Sequence, residues 1–218
     1  MNCLLTAATV KEISPFLNYY RDTDKLLHID MNIDVLITGV GLTASTYHLT
    51  RQFSIRRPDL VIQAGVAGCF DKKIPLGSVL AITKDTIADE SVVEMEKLKT
   101  LFDLKIVPQN SAPYTRGWLD NPNKELIKRS KLKRAKGISV NQITTNKKII
   151  KFYTDHFDPV AESMEGAALH YVCLMEKIPF LQIRSISNYI GERNKAKWDI
   201  KNSISNLNKE LIRLLEGL

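Results

Sequence analysis

Two short segments hold the residue types that chemistry would need. In Ser163-Met164-Glu165-Gly166-Ala167-Ala168 a carboxylate stands where the chain enters an apolar helix. Small neighbours leave room for a ligand against Glu165, although a Glu at a helix start is also explained by the helix dipole. In Arg184-Ser185-Ile186-Ser187-Asn188 a cation and an amide close an apolar strand just before Gly191. Open α/β sheets place their ligands at such carboxyl ends, and an ordinary strand end with a turn Asn reads equally well. Gly65-Val66-Ala67-Gly68 follows a further apolar run and is read as a turn where backbone approaches a ligand, or as a plain structural turn. Gly39-Val40-Gly41 sits between a strand and a helix pattern, as an anion cradle or a tight turn. There is no complete GxGxxG and no GxxxxGK[ST], which leaves dinucleotide and P-loop readings without support. His28, His48, His156 and His170 lack metal-ligand spacing and read as surface or satisfied core residues.

The elements that must position these groups follow from hydrophobic periodicity. Apolar runs predict strands at Cys3–Ala8, Ile33–Thr38, Asp59–Ala64, Ser78–Thr83, Ile138–Ile143 and Phe180–Ser187. Asn121 before Pro122 reads as a helix cap, and Met164–Glu176 reads as a helix. Asp199 caps a helix whose Ile200, Ile204, Leu207, Leu211 and Leu214 recur at helical spacing. Alternating strands and helices predict an α/β fold around a mostly parallel sheet, as one domain over residues 1–218. Val107–Pro122, with three prolines, is the longest expected loop and a candidate for function.

Composition sets the outer bounds. The 218 residues are 44% hydrophobic and 25% charged, enough for a sizeable core. No apolar run approaches the roughly 20 residues of a membrane span, and no basic segment precedes the first apolar stretch. Cys3, Cys69 and Cys173 are odd in number and form no CxxC, which argues against disulfides or zinc and for a reducing cytoplasm. The net charge of +7 raises nucleic acid as a partner, supported by the basic run Lys128–Lys136. Dispersal of the other cations and the lack of a stacking motif argue against it, leaving a solvated helix face or attraction of an anionic substrate.

Taken together, Ser163-Met164-Glu165-Gly166, the helix after it, and Arg184-Ser185-Ile186-Ser187-Asn188 resemble the purine nucleoside phosphorylase and nucleosidase superfamily. Ala64-Gly65-Val66-Ala67-Gly68 and Pro75-Leu76-Gly77-Ser78-Val79 carry the same likeness, which extends from Leu4 to the last helix. Within it the chain resembles most the futalosine hydrolase family. That likeness rests on Ala7-Ala8-Thr9 with Glu12 and Pro15, on Glu162-Ser163-Met164-Glu165-Gly166-Ala167-Ala168, and on Ser187-Asn188-Tyr189-Ile190-Gly191 with Arg193-Asn194 and Trp198. The resemblance implies a nucleoside phosphorylase-like single domain with a mixed central sheet flanked by helices. It also implies a homodimer or higher homo-oligomer, no metal or organic cofactor, and release of hypoxanthine from futalosine in an alternative menaquinone pathway.

The resemblance also assigns roles. Glu12 becomes the base that activates water, although the residue alone reads as an exposed helix-start Glu. Glu165 accepts from the ribose 2′- and 3′-hydroxyls, Met164 packs on the sugar, and Arg184 orients neighbouring carboxylates. Gly65 belongs to the glycine segment, and Ser139–Thr144 lines the purine, with Ile143 and Thr144 favoured. Asn188 stands where adenine-releasing nucleosidases carry Asp. Its amide offers a donor for O6 and an acceptor for a protonated N7, which matches a 6-oxopurine. Gln63 and Val66 replace the Arg and Ser that hold phosphate in hexameric phosphorylases, so water is the expected nucleophile. The alternatives are a methylthioadenosine/S-adenosylhomocysteine nucleosidase, a 6-oxopurine nucleoside phosphorylase and a non-catalytic nucleoside-binding protein.

Overall fold

The computed structural model describes residues 1–21, 31–95 and 97–218, so His28 lies outside the described residues. Strand β1 (Asn2–Ala7) leads into α1 (Val10–Arg21), and β2 (Asn32–Ile37) into α2 (Leu42–Ile55). Strands β3 (Leu60–Cys69) and β4 (Val79–Asp85) are followed by a hairpin of β5 (Ser91–Glu94) and β6 (Lys97–Thr100), then β7 (Leu119–Asp120). The chain continues through α3 (Lys124–Arg129), β8 (Lys133–Ser139), α4 (Lys147–Phe157) and β9 (Ala161–Ser163). It ends with α5 (Gly166–Glu176), β10 (Phe180–Tyr189), a 3₁₀ turn (Lys195–Lys197) and α6 (Ile200–Glu216).

The main sheet runs β10-β4-β8-β9-β3-β1-β2, and β10 also pairs with β3, so five of its strands close on themselves. Pairings are mixed: β1 is parallel to β2 and β3, whereas β9 is antiparallel to β3 and β4 antiparallel to β10. Strand β3 has one partner, β10, along one edge, but two in succession along the other. Cys3 to Thr6 of β1 pair with Leu60 to Gln63, and β9 then pairs at Gly68 and Cys69. The sheet therefore opens between the carboxyl end of β1 and β9, a place where α/β sheets bind ligands.

Central strands buried on both faces read as continuous apolar runs, and their alternate side chains feed two cores. Leu5, Ile62 and Ile183 face α1 and α6, where Ile13, Phe16, Leu207 and Leu211 are buried. Leu4, Val61 and Phe180 face α2 and α5, against Leu49, Phe53, Leu169 and Val172. Among the described residues no helix is long and apolar enough to cross a membrane. Cys3, Cys69 and Cys173 are free and buried.

Several expected boundaries move. Gly65 to Gly68 form no turn; they continue β3 as far as Cys69. The strand expected at Ile138–Ile143 begins earlier, at Lys133, and stops at Ser139, because its first residues alternate Lys and Arg with small residues rather than forming an apolar run. Helix α3 starts at Lys124, with Asn123 at its cap position. Asn121 instead donates from its side chain to the Phe180 carbonyl and accepts from Asn123. The helix expected from Met164 starts at Gly166, behind the short strand β9. Asp199 caps α6 as expected, accepting from the Asn202 N–H.

Candidate active site

The opening between β1 and β9 is a cleft of about 320 Å³. Ala8, Thr9, Lys11 and Glu12 wall it from the β1–α1 junction, and Val66, Ala67 and Gly68 form its floor. Glu162 to Glu165 close one side, Ser187, Asn188 and Ile190 the other, and Val40, Ile143, Trp198, Ile200 and Ile204 surround the mouth. The long segment Val107–Pro122 contributes no residue to this wall; its Tyr114 packs edge-on against Phe102 and Tyr171.

Glu12 lies in the first turn of α1 and is only 7% exposed, against the exposed position that the residue alone suggested. Its Oε2 accepts from the Thr9 N–H at 3.0 Å and the Thr9 hydroxyl at 3.1 Å. Its Oε1 accepts from the Val66 N–H at 3.1 Å, tying α1 to the floor of the cleft. Burial pushes its pKa above the usual carboxylate range; the Arg184 charge and the Val66 N–H oppose this, and the Glu165 charge adds to it. Such a carboxyl titrates nearer neutrality than a solvated one and suits proton transfer.

Glu165 occupies the cap position of α5 but makes no cap bond. Its Oε1 accepts from the Gly41 N–H at 3.2 Å, and its Oε2 from Arg184 Nη1 at 3.3 Å. The glycine segment before α2 thus holds an anion that the protein itself supplies. Arg184, 1% exposed, lies behind the cleft and donates from Nη2 to Gln63 Oε1 at 2.8 Å. Gly65 makes room for it: a Cβ at that position would strike the Arg184 guanidinium and come to 3.1 Å from Glu12 Oε1. Gln63 and Val66, expected to have lost a phosphate-binding role, are both engaged with the protein's own charged groups.

Asn188 reaches the cleft from the end of β10. Its Oδ1 accepts from the Ser187 hydroxyl at 2.9 Å, and its Nδ2 donates to the Tyr189 carbonyl at 3.3 Å. Each atom retains capacity for a ligand. Met164 and Ile143 also line the cleft. Thr144 is buried behind it, its N–H donating to Glu162 Oε1 at 3.1 Å.

Sequence reasoning gave no role to Glu162 or to the buried polar group beneath Gly166. There Asp85 Oδ1 accepts from the Thr86 N–H at 2.8 Å and from the Ser139 hydroxyl at 3.0 Å, while Oδ2 has no hydrogen-bond partner. Burial drives the Asp85 pKa up to about 7, against the Ser139 hydrogen bond and the Arg184 charge. His170 Nδ1 meets the Leu119 carbonyl at 2.7 Å, and burial pulls its pKa down to about 4. The only signal for Asp85 was an acid ending an apolar strand; apart from Thr86, its neighbours come from elements 54 and more residues away. Among the described residues no group of three or more His, Cys, Asp or Glu is placed to hold a metal ion.

With this geometry the chain can be set beside known proteins. It is 27% identical over 186 residues to a futalosine hydrolase of Streptomyces coelicolor, covering 80% of this chain and 74% of that one. It is 25% identical over 167 residues to a 5′-methylthioadenosine/S-adenosylhomocysteine nucleosidase of Haemophilus ducreyi, covering 72% and 67%. A mutant nucleosidase of the latter kind from Helicobacter pylori, solved with 5′-methylthioadenosine in its active site, superposes with a TM-score of 0.80 at 22% identity. That superposition covers 100% of this chain and 99% of the other, and shows the same α/β fold. The phosphorylase superfamily model matches residues 30–218, and the chain belongs to that superfamily.

Proposed function

We propose that the chain is a nucleosidase that hydrolyses the N-glycosidic bond of futalosine, releasing hypoxanthine in a futalosine route to menaquinone. The observation that carries the base choice is Asn188 on the cleft wall, where its amide offers both a donor and an acceptor. A 6-oxopurine presents O6 to the Nδ2 hydrogens and, once solvent has supplied a proton to N7 as the C1′–N9 bond breaks, its N7–H to Oδ1. Glu12 deprotonates a water that attacks the anomeric carbon, and its charge stabilises the oxocarbenium-like centre. Glu165 accepts from the ribose hydroxyls with the lone pairs that Gly41 and Arg184 leave free. Met164 packs on the sugar, and Arg184 fixes the Glu165 carboxylate. Gly65 admits that guanidinium, Ile143 borders the base, and Thr144 anchors the loop beside it. Water rather than phosphate is the nucleophile because Gln63 and Val66 provide no cation. The homo-oligomer belongs to the same proposal: Val40 at the cleft mouth, Tyr47 of α2, and Tyr171 and Met175 of α5 are exposed apolar surface that it would cover.

A second reading, a methylthioadenosine/S-adenosylhomocysteine nucleosidase, is favoured by the apolar Trp198, Ile200 and Ile204 around the mouth, which suit an alkylthio substituent. Chromatography of futalosine, inosine and methylthioadenosine after incubation, with and without phosphate, separates the readings. Hypoxanthine from futalosine in phosphate-free buffer is the expected result. Preferential release of adenine from methylthioadenosine would establish the second reading, and an absolute need for phosphate would make the reaction phosphorolysis.

A further inference from the structure

Helix α5 begins directly after Glu165. Its first N–H groups need acceptors from outside the helix, because the Leu169 N–H is the one that reaches the Glu165 carbonyl, at 3.2 Å. The side chain at the cap position ordinarily supplies an acceptor. Glu165 does not: its two oxygens are turned to Gly41 and Arg184. Two serines from neighbouring strands take over. The Gly166 N–H donates to Ser163 Oγ at 3.2 Å, and the Ala167 N–H donates to Ser139 Oγ at 2.8 Å.

The sheet brings these serines under the helix. Ser139 ends β8 in register with Ser163 of β9, and their hydroxyl oxygens are 3.4 Å apart. Ser139 is completely buried, and it gives its one hydroxyl proton to Asp85 Oδ1 at 3.0 Å. Its lone pairs are left for Ala167, so Asp85 sets the direction of the cap. Gly166 permits the close seat: a Cβ there would strike Asp85 Oδ2 and Gln182 Nε2. Neither Asp85 nor Ser139 lines the cleft, and the chemistry above uses neither.

We propose that Ser139 is a positioning residue: its hydroxyl, aimed by Asp85, caps α5 from outside the helix and leaves the Glu165 carboxylate free to serve the cleft. This rests on the reading of Glu165 as the acceptor for the ribose hydroxyls. An unpaired N–H at a helix start attracts the nearest anion. Without the Ser139 hydroxyl the Ala167 N–H is such a group, and Glu165 is the adjoining carboxylate. Each turn of Glu165 back toward its own helix end withdraws it from the sugar.

The test compares kcat/KM for futalosine and its 2′-deoxy counterpart in the wild type, Ser139→Ala and Ser139→Thr. If methylthioadenosine is the nucleoside cleaved, it and its 2′-deoxy form take the same places. Ser139→Ala should lose on the order of 10- to 100-fold with the ribonucleoside, the scale of a misplaced contact. The 2′-deoxy form asks less of Glu165 and should lose at least about fivefold less. Ser139→Thr keeps the hydroxyl and should restore the preference for ribose. Ser139→Cys, of similar size but a weak donor and acceptor, should fall between, and it carries the test where Ser139→Ala does not fold. A serine that serves stability alone would lower both substrates alike. Equal losses, a preference unchanged in the Ala or Cys variant, or a Thr variant as impaired as the Ala one overturns the inference while the reading of Glu165 stands. A wild type indifferent to the 2′-hydroxyl overturns both.

Discussion

Asp85 allows a prediction with a magnitude. Its carboxyl is fully buried, and burial lifts its pKa from the ordinary 3.8 to about 7. A carboxyl whose folded-state pKa is raised favours folding while it is protonated. That contribution is complete below the unfolded pKa and is lost as pH rises through about 7. Each pH unit between the two values corresponds to about 1.4 kcal/mol, so ionising Asp85 in the folded chain costs on the order of 4 kcal/mol. Asp85→Asn imitates the protonated form at every pH. Its Oδ1 retains the Thr86 and Ser139 donors, and its NH₂ replaces Oδ2 beside Gln182, whose amide turns to present its unpartnered Oε1 to the new donor. The variant should therefore gain stability relative to the wild type as pH rises from about 4 to 8, by up to roughly 4 kcal/mol. For a chain of this size that is roughly 8–16 °C in Tm. Calorimetric melts of both proteins at pH 4.5, 6 and 8 measure it. His170 and Arg184 are common to both proteins and drop out of the difference. A gap in Tm that stays flat between pH 4.5 and 8 refutes the reasoning.

Three further outcomes are expected. Glu12→Gln should lose most of kcat with futalosine in phosphate-free buffer and change ligand affinity less; a near wild-type rate excludes Glu12 as the base. Arg184→Met leaves Glu165 without its cation and Gln63 without its donor, and should cost about 3–5 kcal/mol. Urea unfolding tests this, and because the Arg184 charge lowers the Glu12 pKa, the acid limb of kcat/KM should also move to higher pH. Asn188→Asp should narrow the preference for futalosine over its 6-amino counterpart, and an unchanged ratio of kcat/KM means that Asn188 does not read position 6.

Much of the frame was legible because β3 and β10 are apolar runs buried on both faces, and α6 repeats its apolar residues at helical spacing. Strand β8 was placed too late because Lys133, Arg134 and Lys136 interrupt the apolar pattern, so its first residues read as part of a charged surface. Strand β9 has three residues and no period to detect. At the site, Glu165, Arg184 and Asn188 announced themselves as polar groups beside apolar elements. Glu12 did not, because its burial comes from β3, whose Val66 lies 54 residues away. Glu162 and Asp85 were silent for the same reason: a strand register far along the chain, not local spacing, decides what each faces.

Strand β3 changes neighbour midway, from β1 to β9, while β10 runs along its other edge throughout. The cleft floor is therefore main chain and small residues of one strand, and the polar groups above it hang from separate elements. A replacement at 162 or 188 alters a wall of the cleft without touching Gly65, Arg184 or the Glu12 anchor. Such a scaffold is modular: one wall of the cleft can drift under selection, or be rewritten by design, while the contacts among Gly65, Arg184 and Glu12 are inherited intact.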